Sequence, residues 1–390
     1  MSTHIKGRIE IIDFLKGLVM VIMALDHTRD YFHASAFIYD PTDPNQTSFP
    51  IYFTRWITHF CAPAFSFLAG ISAFFVGRRK KTGELSSFLF KRGLWLIFIE
   101  VTIVNFAWFF DIQFRTDGLA VIWALGISMI VLAALVYLPR TVILVFSCVL
   151  IFGHNLLDST HFDGNIWWAI LHDGGFFKFS DHFQMFVGYP IIPWIAVMSL
   201  GYCFGPLYDK SFDRARRKRI LNIIGFSAVI LFIIVRWINI YGDPYSWKHY
   251  DTAIQTLFNF MNPMKYPPSL SYLLMTLGPM LIILANSENL KGRIANFFKV
   301  FGRVPFFYYI VHLYLIHLTA LIFAQLSGFG WQNMILKDWV GDAPELKGYG
   351  FRLWVVYAVW IGIITLHYPL CKKFDLYKQK NREKWWLSYL

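Results

Sequence analysis

DFLKGLVMVIMALDHTRD, residues 13–30, decides the fold class. It has the apolar composition of a membrane-crossing helix, which needs about 20 residues. It also carries Asp13, Lys16, Asp26, His27, Arg29 and Asp30. Ionisable groups are costly in a bilayer, so each needs a partner, an interface position or a wet cavity. Lys16 and His27 are 11 positions apart. At about 3.6 residues per turn that is almost three turns, so the two share a face and lie roughly 16 Å apart along the axis.

The rest of the chain fits that reading. Its 390 residues are 56% hydrophobic, 19% aromatic and only 15% charged, with a mean hydropathy of +0.47. That is too apolar for a soluble domain of this length. A net charge of +12 would suggest nucleic acid in a soluble protein. Here the Lys and Arg residues cluster in short loops beside apolar runs and act as orientation signals, so no nucleic-acid partner is expected. Cys61, Cys148, Cys203 and Cys371 stand singly, without the spacing of a disulfide framework or zinc site. Ala34-Ser35-Ala36 resembles a leader cleavage site. The charges before it, and the need of later spans for this one, favour a retained helix.

The expected fold is all-α, a polytopic bundle of about ten transmembrane helices forming one domain over 1–390. The spans fall at roughly 11–34, 55–77, 88–110, 118–138, 141–157, 188–207, 219–241, 269–286, 302–326 and 351–371. One side of this arrangement collects Lys6, Arg8, Arg78, Arg79, Lys80, Lys81, Lys91, Arg92, Arg140 and the basic loop 209–219. It also collects Lys291, Arg293, Lys299, Arg303 and the basic tail that includes Arg382. The other side has loops 40–50, 158–187, 242–268 and 327–350, with few cations. Both termini are therefore expected in the cytoplasm. Aromatic, His and Asp residues in the two long loops (Trp167, Trp168, His172 and Asp173; Tyr245, Trp247, His249, Tyr250, Asp251 and Tyr266) suit a sugar-like ligand, but an interfacial aromatic belt explains them better. His154, Asp158 and His161 have a metal-like spacing with no sharper motif, and no metal is expected.

His27 leads the candidates for chemistry. An imidazole takes and returns a proton near neutral pH, as acyl transfer to a hydroxyl or amine requires. Asp26 or Asp30 would orient it, Asp30 at i+3 being better placed. Arg29, within one turn of Asp26, either neutralises it or contacts substrate. Arg55 and His59 share a face at the outer end of the second span, making His59 a second catalytic candidate and Arg55 a substrate contact. Pro63 should kink that span or free a carbonyl, and Gly70 and Ser72 permit close packing. Lys16 either snorkels and pairs with Asp13 or contacts the phosphates or pantetheine of a cytoplasmic acyl donor. Arg78, Arg79 and Arg92 would join it. Glu100, deep in the third span, must be protonated or paired, with Lys16 or Arg92 in reach. Tyr308 and His312, at i and i+4 with His317 beyond, form a polar stripe that would complete the cavity and touch substrate.

These segments together carry a family resemblance. KGLVMVIMALDH (16–27) places a basic residue, ten others and a histidine as the first helix of membrane acyltransferases does. With RIEIIDFLKG, DHTRDYF, RWITHFCAPAFSFLAGISAFF, KRGLWLIFIE and VPFFYYIVHLYLIH, the chain resembles bacterial proteins grouped with the heparan-alpha-glucosaminide N-acetyltransferase family. The resemblance implies a fold of ten or eleven helices in a cell membrane, here a bacterial inner membrane. It implies acetyl-CoA entering from the cytoplasmic side as acyl donor, and a sugar or glycan acceptor on the far side. Lys16 and His27 are the matching positions, with Lys in place of the commoner Arg. In the lysosomal member the catalytic histidine precedes the second helix. PTDPNQTSFPIYFTRWIT (41–58) has no histidine, and His59 lies closest, so the heparan substrate does not carry over. Membrane lipids and a second copy of the chain, packed through FLAGISAFF, complete the expected partners. A transporter using the same charged cavity is the alternative function, and a non-catalytic assembly partner a third.

Overall fold

The computed structural model describes residues 9–381 and 383–388, so Lys6, Arg8 and Arg382 lie outside the described residues. The first helix, α1 (Glu10–Phe32), begins with Glu10 and Asp13 in its first turn and ends with Arg29 in its last. That charge order suits the helix dipole. The second, α2 (Phe49–Gly77), has Pro50 in its first turn and is interrupted by a tighter turn at Ile57–Phe60. Pro63 lacks the N–H that would bond the carbonyl four residues back. That carbonyl, of His59, instead accepts from the Tyr272 hydroxyl at 2.7 Å.

Next come α3 (Thr82–Ile99), α4 (Val121–Leu135), α5 (Arg140–Leu157), α6 (Ile191–Tyr208) and α7 (Arg214–Ile238). The short α8 (Ala253–Phe260) leads to α9 (Leu270–Asn286), α10 (Arg293–Arg303), α11 (Pro305–Leu326) and α12 (Leu353–Lys380). Six of these, α2, α5, α6, α7, α11 and α12, are long and apolar enough to cross a membrane, and α4 and α9 are apolar but shorter. On α5, Val142, Val145, Val149 and Phe152 form an exposed stripe, as do Ile223, Phe226, Ile230, Ile233 and Trp237 on α7. Apolar faces of this extent belong against lipid.

The strongest helix pairs are α1 with α10, α2 with α6, α3 with α4 and α7 with α9. All four depend on missing side chains. A Cβ on Gly17 would overlap the Phe298 carbonyl of α10, and one on Gly70 would overlap the Met198 carbonyl of α6. Small residues permit such backbone approach in membrane bundles. Arg303, at the end of α10, lies 3.9 Å from Asp13 and 3.4 Å from Asp375. The start of α1 and the end of α12 thus meet at one end of the bundle, called here the basic end. The opposite, loop end holds the long connections.

The loop end is not all helical. Strands β1 (Thr116–Leu119), β2 (Gly175–Ser180) and β3 (Phe183–Val187) form a sheet in the order β1-β3-β2. β3 runs parallel to β1 (Thr116 opposite Gln184) and antiparallel to β2 (Phe176 opposite Phe186). This corrects the all-α expectation. GFFKFS and FQMFV are short strands across a tight turn, hidden from helix-period reading by their place in a loop. A π turn at Glu100–Val104 carries α3 on to Phe109 and aims Asn105 at the sheet, where its amide donates to the Thr116 carbonyl at 2.9 Å. Glu100 accepts from the Ala120 N–H at 3.2 Å, at the start of α4.

Candidate functional site

At the loop end, α1 opens onto a cavity of about 610 Å³ lined by Asp26, His27, Arg29, Asp30 and Arg55. Five of the residues singled out from the sequence thus converge. Asp26 is the hub: it accepts from Arg55 at 2.7 Å, pairs with Arg29 at 3.0 Å and lies 4.0 Å from the Lys265 ammonium. Arg29 also donates to Asp30 at 2.5 Å. Its Nε and Nη1 have no partner among the described residues. Burying this many charges is tolerable only because each cation faces a carboxylate.

His27 has a different partner from those expected. Asp26, one residue before it, projects about 100° around the helix, and Asp30 is held by Arg29. The His27 Nδ1 instead lies 2.8 Å from Nε2 of His312 on α11. The His312 Nδ1 faces the Tyr308 carbonyl at 2.9 Å. A carbonyl only accepts, so that nitrogen carries the proton and Nε2 of neutral His312 accepts. His27 Nδ1 is then the donor, and the lone pair of neutral His27 rests on Nε2. Trp108 packs edge-on against the His27 ring, centroids 4.8 Å apart.

The sequence placed Tyr308 and His312 against substrate. Both are fully buried behind His27, and neither lines the cavity. Tyr309, one step around α11, does. His317 faces the carbonyls of Ala107 and Met334 at 2.9 and 2.7 Å, as a structural histidine would.

A second cavity of about 350 Å³ lies toward the basic end and is lined by Lys16, Ser72, Arg92 and mostly apolar side chains. Lys16 donates to Ser72 at 2.8 Å. Met23, Val121 and Tyr309 line both cavities, so the two meet there, along the face of α1 that carries Lys16 and His27. Arg78 and Arg79 do not reach the second cavity. They are exposed in the turn after α2, where Arg78 pairs closely with Asp209.

His59 does not line the His27 cavity. It sits in an adjoining space with Lys265 and Tyr266. Tyr266 stood out in the sequence only among the aromatics of loop 242–268, and Lys265 was missed, although it is one of the few cations in a loop otherwise poor in them. Burial pushes the Tyr266 phenol up, but Lys265 and Arg55 outweigh that and hold it below the usual range. The metal-like trio is dispersed: His154 faces the Leu150 and Pro268 carbonyls, His161 faces Asp173, and Asp158 faces Asn155 and His172. Among the described residues no three His, Cys, Asp or Glu form a metal-holding group.

Comparison with curated proteins finds no match. Residues 8–241, more than half of the chain, match the family described as heparan-alpha-glucosaminide N-acetyltransferase, catalytic. The match takes in α1 to α7, with His27 and the Asp26 hub, and stops before Lys265 and His312. With its apolar helices, this makes the protein a multi-pass membrane acyltransferase, and the chain belongs to the heparan-alpha-glucosaminide N-acetyltransferase family.

Proposed function

We propose that the protein transfers acetyl from acetyl-CoA, bound from the basic end, to a hydroxyl or amine of a sugar or glycan held in the loop-end cavity. The observation that carries this reading is the meeting of the two cavities at Met23, Val121 and Tyr309, with Lys16 on one side and His27 on the other. The donor's long, uncharged arm suits the second cavity. Lys16 and Arg92 would attract its phosphates, with Arg78 and Arg79 at the rim of the same end. Arg29 and Arg55 would hold acceptor oxygens.

His27 Nε2 takes the acceptor proton as the acceptor atom attacks the thioester carbonyl. The C–S bond breaks, and the proton passes from Nε2 to the leaving sulfur. The imidazolium formed in between keeps its Nδ1–H bond to neutral His312, which fixes the ring's tautomer and orientation. The same lone pair would serve an acyl-histidine route, which acceptor-independent release of one CoA per chain would reveal. Asp26 and Asp30 act through the cations they hold, while His59 lies in the adjoining space, outside the His27 cavity.

Basic loops at one end favour an orientation with both termini cytoplasmic. The meeting of Asp13 and Asp375 at Arg303 suits an even number of crossings, about ten, with α1 and α3 added to the eight apolar helices. One core cluster running from Ile11 to Cys371 supports a single domain. The bacterial inner membrane is the setting that the resemblance favours.

The test is acetyl-CoA consumption by purified protein in detergent with a panel of amino sugars and glycans. His27→Ala should lower acceptor-dependent turnover by about 10²–10⁴-fold with an unchanged elution profile. Normal turnover in a folded His27→Ala protein would sink the assignment.

A further inference from the structure

We infer that the acceptor site has a second chamber, which holds the sugar unit next to the one acylated; this rests on the function proposed above. A cavity of about 290 Å³ adjoins the His27 cavity and shares Asp40, Arg55, Lys265 and Tyr266 with it. A ligand in one chamber can therefore continue past Lys265 and Tyr266 into the other.

The chamber's chemistry names the ligand class. Three of its charged residues, Asp40, Arg236 and Asp243, are committed to the frame, while Arg55 and Lys265 face Asp26. Asp243 accepts from the Met264 and Tyr245 N–H groups and the Ser269 hydroxyl at 2.9, 3.1 and 2.9 Å. Arg236 donates to the carbonyls of Phe260, Tyr245 and Asn259 at 3.0, 3.1 and 3.0 Å. Asp40 accepts twice from Thr42. Beside Arg55 and Lys265 a ligand meets neutral groups. The Asn262 carboxamide has no partner among the described residues. The His59 Nδ1 lies 2.9 Å from the Trp56 carbonyl, so it carries the proton and the lone pair is on Nε2. A carboxamide and a neutral imidazole beside the Tyr266 ring match a polyol, whose hydroxyls both donate and accept.

The chamber also accounts for part of the aromatic loop 242–268. Tyr245 and Tyr266 line it. Trp247 instead donates to the Arg236 carbonyl at 2.6 Å and packs on Phe260, so it supports the wall from behind.

The test compares glucosamine with α-1,4- and β-1,4-linked glucosamine disaccharides as acceptors for the full chain in detergent with acetyl-CoA. One disaccharide should have a kcat/KM about tenfold or more above the monosaccharide, the worth of one or two hydrogen bonds. In Asn262→Ala and His59→Phe that ratio should fall toward one. Equal kcat/KM for all three acceptors, or a ratio unmoved by both variants, overturns the chamber while leaving the acyltransferase reading intact. No turnover with any acceptor and no acetyl-CoA binding overturns both.

Discussion

The two cavities along α1 are built on opposite principles. Toward the loop end, Asp26, Arg29, Asp30, Arg55 and Lys265 crowd one floor, and their positions are fixed by each other. Toward the basic end, Lys16 and Arg92 stand among Met20, Phe65, Phe88, Leu96 and Met129. One space is shaped by charge and the other by packing. An interlocked set of charges tolerates loss of a member badly. An apolar sleeve shaped by packing tolerates changes of side chain better. The divide between them is Met23, so one helix presents both chemistries within a few turns.

Breaking the polar floor should have the largest effect on stability. Asp26 faces three cations, and Arg29 is 4% exposed. Asp26→Ala would leave Arg29 and Arg55 without their shared carboxylate, a loss of about 3–5 kcal/mol for a buried pair stripped of one partner. Thermal unfolding in detergent should register it. Lys16→Met, in the apolar sleeve, should change the unfolding temperature far less. Equal effects would remove the contrast between the cavities.

That contrast was half visible in the sequence. The shared face of Lys16 and His27 follows from helix geometry, and α1 does run from one cavity to the other. The i−3 relation of Asp26 to Arg29 likewise announced an ion pair. His312 was singled out as part of a stripe on α11, but its bond to His27 joins residues 285 apart. No local pattern encodes that. Asp26 and Asp30 looked like the partners of His27 because they are near in sequence, whereas the adjacent residue in a helix points elsewhere. Lys265 and Tyr266 reach the site only because the loop before α9 folds back over α1. The sheet escaped notice for a related reason: β1 and β3 are far apart in sequence and pair in parallel, so neither announces the other. The hub and α1 belong to the matched family region, while Lys265, Tyr309 and His312 lie beyond it.

A change at the divide should sharpen the comparison. Met23 lines both cavities and is 6% exposed. Shortening it should widen the passage on the side of the acyl group and leave the polar floor untouched. With Met23→Ala, kcat/KM for butyryl-CoA relative to acetyl-CoA should rise by about tenfold or more, the discrimination an apolar pocket exerts over one or two methylenes. Met23→Leu, which nearly conserves volume, should keep the wild-type preference. An unchanged ratio in Met23→Ala would mean that acyl length is read elsewhere, for instance at Val121.

The smallest effect is expected at the rim. His172 is buried between Asp158 at 3.3 Å and Asp173 at 3.0 Å, and Asp173 also faces His161. Burial pulls the His172 pKa down, but the two carboxylates outweigh it and hold it above the ordinary value. A histidine raised in the folded state stabilises most where it is protonated in both states, below about pH 6.5. That contribution is lost as pH rises through the folded-state value. Asp173 leads through Gly174 into β2, whose Phe176 lines the loop-end cavity, so the pair steadies one wall of that space. The gap in unfolding temperature between wild type and His172→Gln should therefore be widest near pH 6 and close by pH 9. Because no charge at the basic end takes part, acetyl-CoA binding should be the same in the two proteins throughout. A gap that widened with pH would mean that His172 is held neutral, with Asp158 and Asp173 serving other partners.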